Sequence, residues 1–496
     1  MELRELLAGA EVVEITGDPA VELTGLAYDS RRARRGTLFF AYPGQTVDGH
    51  AYAAAAVDAG AVAVVCERPL ELPPFVTQAQ VVDARAAMAQ AAVRFYDDPT
   101  AELRVVGITG TNGKTTTAFL VRHLLERAGV PTGLLGTVKR VVAGREEEVE
   151  RTTPEAIDLQ ATFRRMVKGG ERACAMEVSS HALALDRSTG IRFAVVAFTN
   201  LSQDHLDFHA DMEDYFQAKR RLFITDAAEA SVVNLDDPYG ERLVAELECA
   251  TFSAAGDPRA DYRATDLRFD ATGSRFVCVG PGGEVPVTMP LPGRFNVANA
   301  LCAIAAVAPL GVGLEQAAAA LAEADRVPGR FEPVDVGQPF AVLVDYAHTP
   351  DSLDNVLRSA RDVTEGRMIC VFGCGGDRDR DKRPLMGEIA ARLADLAIVT
   401  SDNPRSEDPE AIVAEIVAGI EAAPDAKAEV EVEVDRRMAI AHAIAAARPA
   451  DTVLIAGKGH EQGQEFEGGR KLPFDDRDVA REELRRLAAA ADTPAA

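Results

Sequence analysis

Residues 107–117 of the 496-residue chain have the sequence Gly-Ile-Thr-Gly-Thr-Asn-Gly-Lys-Thr-Thr-Thr. The apolar run at 103–108 predicts a buried strand before this stretch, and the apolar spacing at 118–128 predicts a helix after it. Gly110 and Gly113 permit backbone angles that a side chain would forbid, so successive N–H groups can point at one anion. A strand, a glycine-rich turn and a helix N-terminus together predict a phosphate-binding loop.

The same loop carries the residue types expected around the phosphates of ATP. Lys114 would reach the terminal phosphates, and the Thr115 hydroxyl would ligate Mg²⁺. Five residues separate Gly107 from Gly113, whereas the strict Walker pattern has four, which indicates a particular branch of the P-loop enzymes. The alternative is a glycine turn with an exposed lysine, which the flanking strand and helix disfavour. The predicted ATP-binding residues of the loop are Gly110, Thr111, Asn112, Gly113, Lys114, Thr115 and Thr116.

Length and charge restrict the class of protein. At roughly 150 residues per domain, the chain predicts about three domains. Hydrophobic residues make up 47% of it, and 78 acidic residues against 53 basic ones give a net charge of −25. This charge opposes non-specific binding to nucleic acid or to an anionic membrane, so an anionic substrate must be met by local basic groups.

The cysteines and the N-terminus predict a soluble, cytoplasmic protein. The seven cysteines are scattered and mostly lie in apolar runs, which is typical of reduced core residues. The spacing of Cys370 and Cys374 has no second half, so a zinc site is not expected. The N-terminus lacks the apolar region of a signal peptide, and no apolar run reaches the ~18 residues of a membrane span. A monomer without a membrane or nucleic-acid partner is expected.

Alternating strand and helix signals predict an α/β fold in three domains. Residues 1–100 predict a small N-terminal α/β domain, and residues 331–496 a Rossmann-like α/β domain. Residues 101–330 predict a central, doubly wound and mostly parallel P-loop sheet. Loops after strands, such as those at Gly373 and Gly457, would lie at the edge where such sheets bind ligands. The segments 28–32 and 44–50 also follow strands, but taken alone they are better explained as capped turns on a solvated surface.

Two segments of the central domain could hold metal ions. Glu177 closes the strand predicted beside the P-loop, where a carboxylate can bind Mg²⁺ directly or through water. His205 lies in a polar loop after the next strand, although a lone histidine is more often a structural hydrogen-bond donor. Lys219 lies in a predicted helix at 214–223, and its basic face is expected to be solvated.

Further polar groups are suited to a nucleotide. Asn296 and Asn299 would share one face of a helix start and could bind a base or ribose, although capping by Asn296 is an equal alternative. Arg330 lies at the predicted hinge, where its planar guanidinium could clamp a phosphate. Asp345 ends a strand and could bind ribose or adenine.

Three C-terminal loops, 373–383, 401–409 and 457–461, are rich in charged groups. Arg383 and Arg405 can each bind a carboxylate through two hydrogen bonds, and Asp402, Asn403 and Glu461 can accept from an ammonium. Together they would suit a small zwitterionic molecule, whereas each alone is better explained as a solvated loop.

Several of these stretches, in this order, resemble the Mur ligases, the ATP-dependent amide-forming enzymes of bacterial cell-wall synthesis. The resemblance rests on residues 109–116, on Glu-Val-Ser-Ser-His at 177–181, on 199–207, on Asp-Tyr-Ala-His-Thr-Pro at 345–350 and on Asp-Asn-Pro-Arg at 402–405. It implies addition of a third residue to UDP-N-acetylmuramoyl-L-alanyl-D-glutamate. The 402–405 motif is similar to the form that selects meso-2,6-diaminopimelate over L-lysine, because an arginine can bind the extra carboxylate.

The resemblance also implies roles for individual residues. Lys114, His205, Lys219 and Arg330 would be catalytic, and Lys219 would be carbamylated. One departure is Leu185, where many relatives carry a glutamine that contacts the substrate. The metal residues would be Thr115, Glu177, His205 and carbamylated Lys219, and the additional nucleotide residues Asn296, Arg330 and Asp345. The UDP-muramoyl dipeptide would be bound by Ser30, Thr152, Thr153, Ser179 and Arg187, and diaminopimelate by Arg383, Asp402, Asn403, Pro404, Arg405, Gly457 and Glu461.

The expected reaction proceeds through an acyl phosphate, with ATP and Mg²⁺ as cofactors. A carboxylate of the dipeptide attacks the γ-phosphate, and the amine of diaminopimelate then displaces phosphate. Three alternatives remain: a lysine-adding ligase of the same family, a folylpolyglutamate synthetase-like ligase, which would not need residues 1–98, and a non-enzymatic nucleotide-binding regulator.

Overall fold

The computed structural model describes residues 1–44, 47–149, 151–224, 228–270 and 272–491. Part of the predicted turn at 44–50 therefore lies outside the described residues. Packing divides the chain into two compact units. The first unit comprises Met1–Thr109, Gly129–Ala197 and Ala218–Ser231, and the second comprises Gly110–Ala128, Phe198–Gln217 and Val232–Ala496.

The N-terminal part of the first unit is a five-stranded sheet in the order β1-β5-β4-β3-β2, parallel except for the β1–β5 pair. Its central strands are apolar on both faces, as expected for a parallel sheet covered by helices. The small α/β domain predicted here is confirmed. The elements are α1 (Leu3–Leu6), β1 (Val12–Thr16), β2 (Gly25–Ala27), β3 (Thr37–Phe40), α2 (Ala53–Asp58), β4 (Ala61–Cys66), β5 (Thr77–Val81) and α3 (Ala84–Phe95).

The middle of the chain forms a larger sheet around the strand that precedes the phosphate loop. Its elements are β6 (Arg104–Thr109), α4 (Lys114–Arg127), β7 (Thr132–Leu135), β8 (Arg140–Val142), β9 (Arg145–Glu147), α5 (Ala156–Gly169), β10 (Ala173–Glu177), α6 (Ser180–Ala184), β11 (Phe193–Phe198), α7 (Met212–Ile224), β12 (Ala228–Asn234), α8 (Pro238–Val244), β13 (Ala250–Ser253), β14 (Tyr262–Asp270), β15 (Gly273–Gly280), β16 (Gly283–Met289), α9 (Arg294–Val307) and α10 (Leu314–Leu321).

The strand order of this sheet is β16-β15-β14-β13-β12-β11-β6-β10-β7-β8-β9. In the first unit, β10 pairs in parallel with both β6 and β7. In the second unit, β12, β13 and β14 are parallel, and β14–β16 form an antiparallel excursion at 262–289. β6 is buried from Val105 to Thr109, which explains its continuous apolar run.

The C-terminal sheet, in the second unit, has the order β17-β18-β22-β19-β20-β21. β18, β22, β19, β20 and β21 are parallel, and two apolar clusters pack on its faces. Its elements are β17 (Glu332–Pro333), β18 (Ala341–Asp345), α11 (Pro350–Arg361), β19 (Met368–Phe372), α12 (Lys382–Leu393), β20 (Leu396–Val399), α13 (Pro409–Ala422), β21 (Glu429–Val432), α14 (Arg436–Ala446), β22 (Thr452–Ala456), the hairpin β23 (Gly463–Phe466) and β24 (Arg470–Pro473), and α15 (Asp476–Ala491).

The glycines predicted to follow strands do so. β6 ends at Thr109, β19 at Phe372 and β22 at Ala456, so Gly110, Gly373 and Gly457 each begin the loop at a carboxyl end. The polar loops therefore occupy the edge at which parallel sheets bind ligands.

The predicted solvated basic face of α7 is wrong at Lys219. Its side chain is 1% exposed, comparable with Tyr215 and Leu222 of the same helix. Lys219 follows Tyr215 by four positions and precedes Leu222 by three, so helical spacing places it on the apolar face. A buried lysine requires a specific environment, which the sequence pattern did not reveal.

Candidate active site

The phosphate loop joins the end of β6 to the start of α4, and its glycines cannot be replaced without rearrangement. Gly110 and Gly113 have φ of +149° and +85°. A Cβ on Gly110 would lie 1.9 Å from Thr199 Oγ1, and one on Gly113 would lie 2.3 Å from Asn299 Oδ1. The loop thus needs glycine both for its backbone angles and for the approach of neighbouring side chains.

The segment after β11 supports this loop. Asn112 N–H donates to Asn200 Oδ1 (2.9 Å), and Thr199 Oγ1 donates to the Asn112 carbonyl (2.6 Å). Thr111 N–H donates to the Asn200 carbonyl (2.9 Å). Lys114 Nζ donates to the loop carbonyls of Gly110 (3.0 Å) and Thr111 (2.7 Å). The ammonium is therefore held at the loop, at the N-terminus of a helix that favours anions.

A cavity of ≈ 100 Å³ lies beside the loop and is lined by Asn112, Gly113, Asn234, Asn299, Asp345 and Asp351, among others. The predicted capping role of Asn296 is wrong, because α9 begins at Arg294 with Gly293 as its N-cap. Asn296 is buried and donates to the Pro292 carbonyl (2.9 Å), and its Oδ1 accepts from Asn299 Nδ2 (3.3 Å). Asn296 therefore orients Asn299, which lines the cavity.

Arg330 and Asp345 lie next to the same loop. Arg330 Nη2 donates to Thr115 Oγ1 (3.1 Å), and its guanidinium stacks 4.5 Å from the Tyr346 ring. Asp345 Oδ2 accepts from Phe331 N–H (2.6 Å). Burial raises the pKa of Asp345 to about 6, although Arg330 and the Phe331 N–H act against the rise. A clamped guanidinium and a buried carboxylate thus flank the predicted phosphate site; Thr116, also predicted there, is buried in α4.

His205 lies beside a carboxylate that the sequence did not single out. Its backbone is left-handed (φ +56°), its N–H donates to Asp204 Oδ1 (2.9 Å), and its Nε2 lies 3.5 Å from Asp204 Oδ2. Asp204 is buried, which raises its pKa, but the charges of His205, His348 and Lys382 outweigh burial and hold the pKa well below its usual range. Burial lowers the pKa of His348.

The other two predicted metal residues lie in the first unit and are both 1% exposed. Glu177 Oε1 accepts from Thr137 N–H (2.7 Å), and Oε2 accepts from the Thr137 hydroxyl (3.1 Å). Lys219 is buried in α7. The grouping of Thr115, Glu177, His205 and Lys219 at one metal site stays a prediction.

A cleft of ≈ 530 Å³ in the first unit is lined by one of the predicted dipeptide residues. Thr152 lines it and shares a hydrogen bond with Thr137 (Oγ1 to Oγ1, 3.0 Å). The Thr153 hydroxyl donates to the Glu177 carbonyl (3.0 Å) and accepts from Ser179 N–H (3.2 Å). Ser179 is also the N-cap of α6. The remaining predicted residues are Ser30, which begins a short 3₁₀ turn beside the lining residues Asp29 and Arg31, and Arg187, whose Nη1 donates to the Thr153 carbonyl (3.4 Å).

The third group of predicted residues lies in the C-terminal loops. Asn403 Nδ2 donates to Glu461 Oε2 (2.9 Å), and the buried Lys458 donates to Asn403 Oδ1 (2.8 Å) and Glu461 Oε2 (2.9 Å). Lys458 and Asn403 lower the pKa of Glu461 against the effect of burial. Gly457 (φ +123°) lies so close to Asp402 that a Cβ would be 2.5 Å from its Oδ2. Sequence reasoning missed Lys458, which donates to two of the predicted ligands, Asn403 and Glu461.

The two predicted carboxylate-binding arginines differ in their engagement. Arg383 is fully buried and donates to both oxygens of Glu407 (2.8 and 2.9 Å) and to Glu415 Oε2 (2.8 Å). Arg405 is partly exposed and bonds the Gly376 carbonyl (2.7 Å) and Glu465 Oε2 (3.2 Å). The guanidinium of Arg383 is therefore already paired with two carboxylates of the protein. Pro404 is also buried, and a Cβ placed on Gly376 would lie 1.9 Å from its carbonyl oxygen.

Sequence reasoning also missed Arg378, in the same loop as Arg383. Arg378 is exposed, and its Nη1 donates to the Asp377 carbonyl (2.9 Å). A Cβ on Gly375 would lie 3.0 Å from Arg405 Nη1 and 3.8 Å from Arg378 Cγ, so both side chains approach the same glycine. The Gly-Gly-Asp-Arg sequence could have indicated this residue, but it does not distinguish one loop arginine from another.

Comparison with known proteins identifies the family. Three consecutive sequence profiles match: the Mur ligase family catalytic domain at residues 22–103, the Mur ligase middle domain at 108–307, and the Mur ligase glutamate ligase domain at 329–459. The chain belongs to the Mur ligase family. The predicted α/β fold in three domains is thereby confirmed, whereas the predicted boundaries stay predictions.

Similar Mur ligases cover nearly the whole chain. The UDP-N-acetylmuramoyl-L-alanyl-D-glutamate–2,6-diaminopimelate ligase of Geobacter metallireducens is 46% identical, over 98% of this chain and 99% of the relative. The enzyme of the same name from Streptomyces avermitilis is 49% identical, over 95% and 94%. A solved structure of a ligase of this name is 32% identical and superposes with a TM-score of 0.69 over 98% and 99% of the two chains. Among the described residues, no helix has both the length and the apolar character that crossing a membrane requires.

Proposed function

We propose that this Mur ligase joins meso-2,6-diaminopimelate to UDP-N-acetylmuramoyl-L-alanyl-D-glutamate at the expense of ATP, in peptidoglycan precursor synthesis. The observation that carries the proposal is identity of 46–49% over 94–99% of relatives that bear this name. The phosphate loop, the three groups of polar residues and the absence of a protein nucleophile from the predicted set agree with such a reaction. We further propose that the enzyme works as a cytoplasmic monomer, with domains at 1–100, 101–330 and 331–496.

In the first step a carboxylate oxygen of the dipeptide attacks the γ-phosphorus of ATP, and ADP leaves. In the second, the amine nitrogen of diaminopimelate attacks the carbonyl carbon of the acyl phosphate, and phosphate leaves as the nitrogen loses a proton. Both steps develop negative charge. We propose that Lys114, which donates to the loop carbonyls, and Arg330, which donates to Thr115, stabilise it. Closure around the acyl phosphate would exclude water that could hydrolyse it.

The donor set fits Mg²⁺. The Thr115 hydroxyl and the Glu177 carboxylate offer the hard oxygen ligands that this ion prefers. We propose, as the family resemblance implies, that they hold it together with His205 and Lys219. The burial of Lys219 agrees with its conversion to a carbamate, which would turn a cation into an anion that can bind a metal. Bound Mg²⁺ would neutralise phosphate charge during transfer.

The C-terminal loops would bind diaminopimelate. Asp402, Asn403 and Glu461 are proposed to accept from its ammonium groups, and Arg405 to bind a carboxylate. Because Arg383 is occupied by Glu407 and Glu415, we propose that it shapes the loop and that the exposed Arg378 provides the second guanidinium.

Phosphate release tests the function. With ATP, Mg²⁺ and the UDP-muramoyl dipeptide, release should require meso-diaminopimelate, and L-lysine should support little of it. Arg378→Met should raise the KM for diaminopimelate by about 10- to 100-fold, the range lost with one charge-assisted contact. Equal rates with both diamino acids would instead favour the lysine-adding alternative.

A further inference from the structure

Three arginines of the first unit surround one buried glutamate. Arg151 Nη1 donates to Glu155 Oε1 (2.8 Å), Arg85 Nη1 to Glu155 Oε2 (3.4 Å), and Arg187 Nε lies 3.0 Å from Glu155 Oε1. We call Arg85, Arg151, Arg187 and Glu155 the arginine cluster. Glu155 is 3% exposed, so its carboxylate is committed to this cluster.

The arginine cluster carries more positive charge than it neutralises. Three guanidiniums share one carboxylate in a chain whose net charge is −25. The side chains of Arg85 and Arg187 are only 17% and 15% exposed. Burial and the guanidiniums of Arg151 and Arg85 lower the pKa of Arg187 despite Glu155. Its buried Nε forms an ion pair with Glu155 at 3.0 Å, but within the described residues no acceptor meets it with hydrogen-bond geometry. Concentrated, partly desolvated positive charge of this kind is stabilised when an anion binds.

The cluster borders the proposed dipeptide site. Arg151 and Glu155 line the ≈ 530 Å³ cleft together with Thr152. Arg187 donates to the Thr153 carbonyl, and the Thr153 hydroxyl donates to the carbonyl of Glu177 at the end of β10. The cluster is thus connected to Thr153, one of the residues predicted to bind the UDP-muramoyl dipeptide.

Arg85 reaches the backbone of Leu185, the residue that the resemblance marks as a departure from the family pattern. It extends from α3, its guanidinium lies 4.2 Å from the Tyr42 ring, and its Nη1 lies 3.5 Å from the Leu185 carbonyl. A leucine at 185 cannot donate a hydrogen bond to the substrate, whereas a guanidinium held at its carbonyl can. Stacking on Tyr42 fixes the plane of the guanidinium and so reduces the entropy lost on binding.

D-Glutamate has two carboxylates, and only one becomes the acyl phosphate. We propose that Arg85, together with Arg187, binds the other carboxylate of the dipeptide and thereby selects a substrate that is free and anionic at this position. The proposal rests on the proposed function and adds to it a specificity-determining residue.

The test uses the dipeptide substrate and its two monoamides, in which one or the other glutamyl carboxylate is a carboxamide. The monoamide whose reacting carboxylate is blocked should support no phosphate release, either by the wild type or by any of the variants. For the wild type, the other monoamide should have a kcat/KM about 10- to 100-fold below that of the unmodified dipeptide, as for a lost charge-assisted contact. In Arg85→Met this ratio should fall well below the wild-type value, because the unmodified substrate alone loses the Arg85 contact, while the contact with Arg187 remains. The KM for ATP should stay unchanged.

Arg4→Met, at an arginine that is 63% exposed in the same unit, is the matched control and should keep the wild-type ratio. Arg85→Lys should give an intermediate ratio, and it replaces Arg85→Met if the latter does not fold. A wild-type ratio in the Arg85 variants would overturn the role of Arg85 alone. No phosphate release by the wild type with the unmodified dipeptide would overturn the proposed function, and this proposal with it.

Discussion

Replacing Asp345 with asparagine should stabilise the protein at neutral pH and not at acidic pH. Asp345 is 8% exposed, and its pKa in the folded protein is raised from 3.8 to about 6. The folded state therefore binds this proton more tightly than the unfolded state. The stabilisation linked to the proton is fully present below pH 4 and is lost as the pH rises through about 6.

The magnitude follows from the two pKa values. Their difference, at 1.36 kcal/mol per pH unit, corresponds to about 3 kcal/mol of unfolding free energy lost once the carboxyl is ionised. Asparagine has nearly the same shape, and its Oδ1 can still accept from Phe331 N–H. Asp345→Asn should thus gain up to about 3 kcal/mol over wild type at pH 8 and almost nothing near pH 4.

Urea unfolding of wild type and Asp345→Asn at pH 4, 6 and 8 measures this difference directly. Asp362→Asn, at an exposed position, serves as the control. A gain of equal size at pH 4 and pH 8, or a loss of stability at pH 8, would refute the argument that burial of the ionised carboxyl is costly. If Asp345 also binds nucleotide, the stabilised variant should have a raised KM for ATP, as is common when a site residue is neutralised.

Three further predictions concern a buried ion pair, the phosphate loop and the metal site. Arg436→Met should lower the unfolding free energy by about 3 to 5 kcal/mol, because it leaves the fully buried Asp476 carboxylate unpaired. In urea unfolding, the double variant Arg436→Met/Asp476→Leu should recover most of this loss. A double variant that does not recover stability would contradict the pairing argument. Gly113→Ala should slow phosphate release by about 100-fold, as a displaced loop does, whereas Gly129→Ala, at a similar φ but in open space, should keep the activity; equal losses would show that the close approach to Asn299 is unimportant. Removing CO₂ and bicarbonate should slow phosphate release, and added bicarbonate should restore it, if Lys219 acts as a carbamate; a rate indifferent to bicarbonate would contradict that role.

The elements around the phosphate loop could be predicted from the sequence because their signals are local. A continuous apolar run predicted β6, and Gly110 and Gly113 predicted the turn that follows it. Both glycines have a positive φ in the structure. β11 and β22 are likewise short, largely apolar runs that are buried throughout. Such patterns depend only on neighbouring residues, which the sequence displays directly.

The environments of buried charges could not be predicted, because they depend on residues far apart in the chain. Lys458 pairs with Asn403, 55 positions away, and Arg383 with Glu407, 24 positions away. In sequence, both cations are indistinguishable from solvated loop residues, as Lys219 is from a solvated helix face. The sequence likewise does not show which of Arg378 and Arg383 is already paired with carboxylates of the protein, so their roles could not be told apart.

The arginine cluster could not be predicted either, because its members lie far apart in the chain. Arg85 lies about 70 positions before Glu155 and 100 before Leu185, and nothing in the N-terminal sequence marks it among the other arginines. Only the fold brings its guanidinium to the predicted dipeptide residues of the first unit.

The most direct measurement is phosphate release by the purified enzyme in a matrix of substrates. With UDP-N-acetylmuramoyl-L-alanyl-D-glutamate, ATP and Mg²⁺ present, the enzyme should release phosphate when meso-diaminopimelate is added, in an amount equal to the tripeptide product. It should release very little phosphate when L-lysine replaces meso-diaminopimelate. Turnover that proceeds without the UDP-muramoyl dipeptide, or that does not depend on which diamino acid is present, would contradict the account.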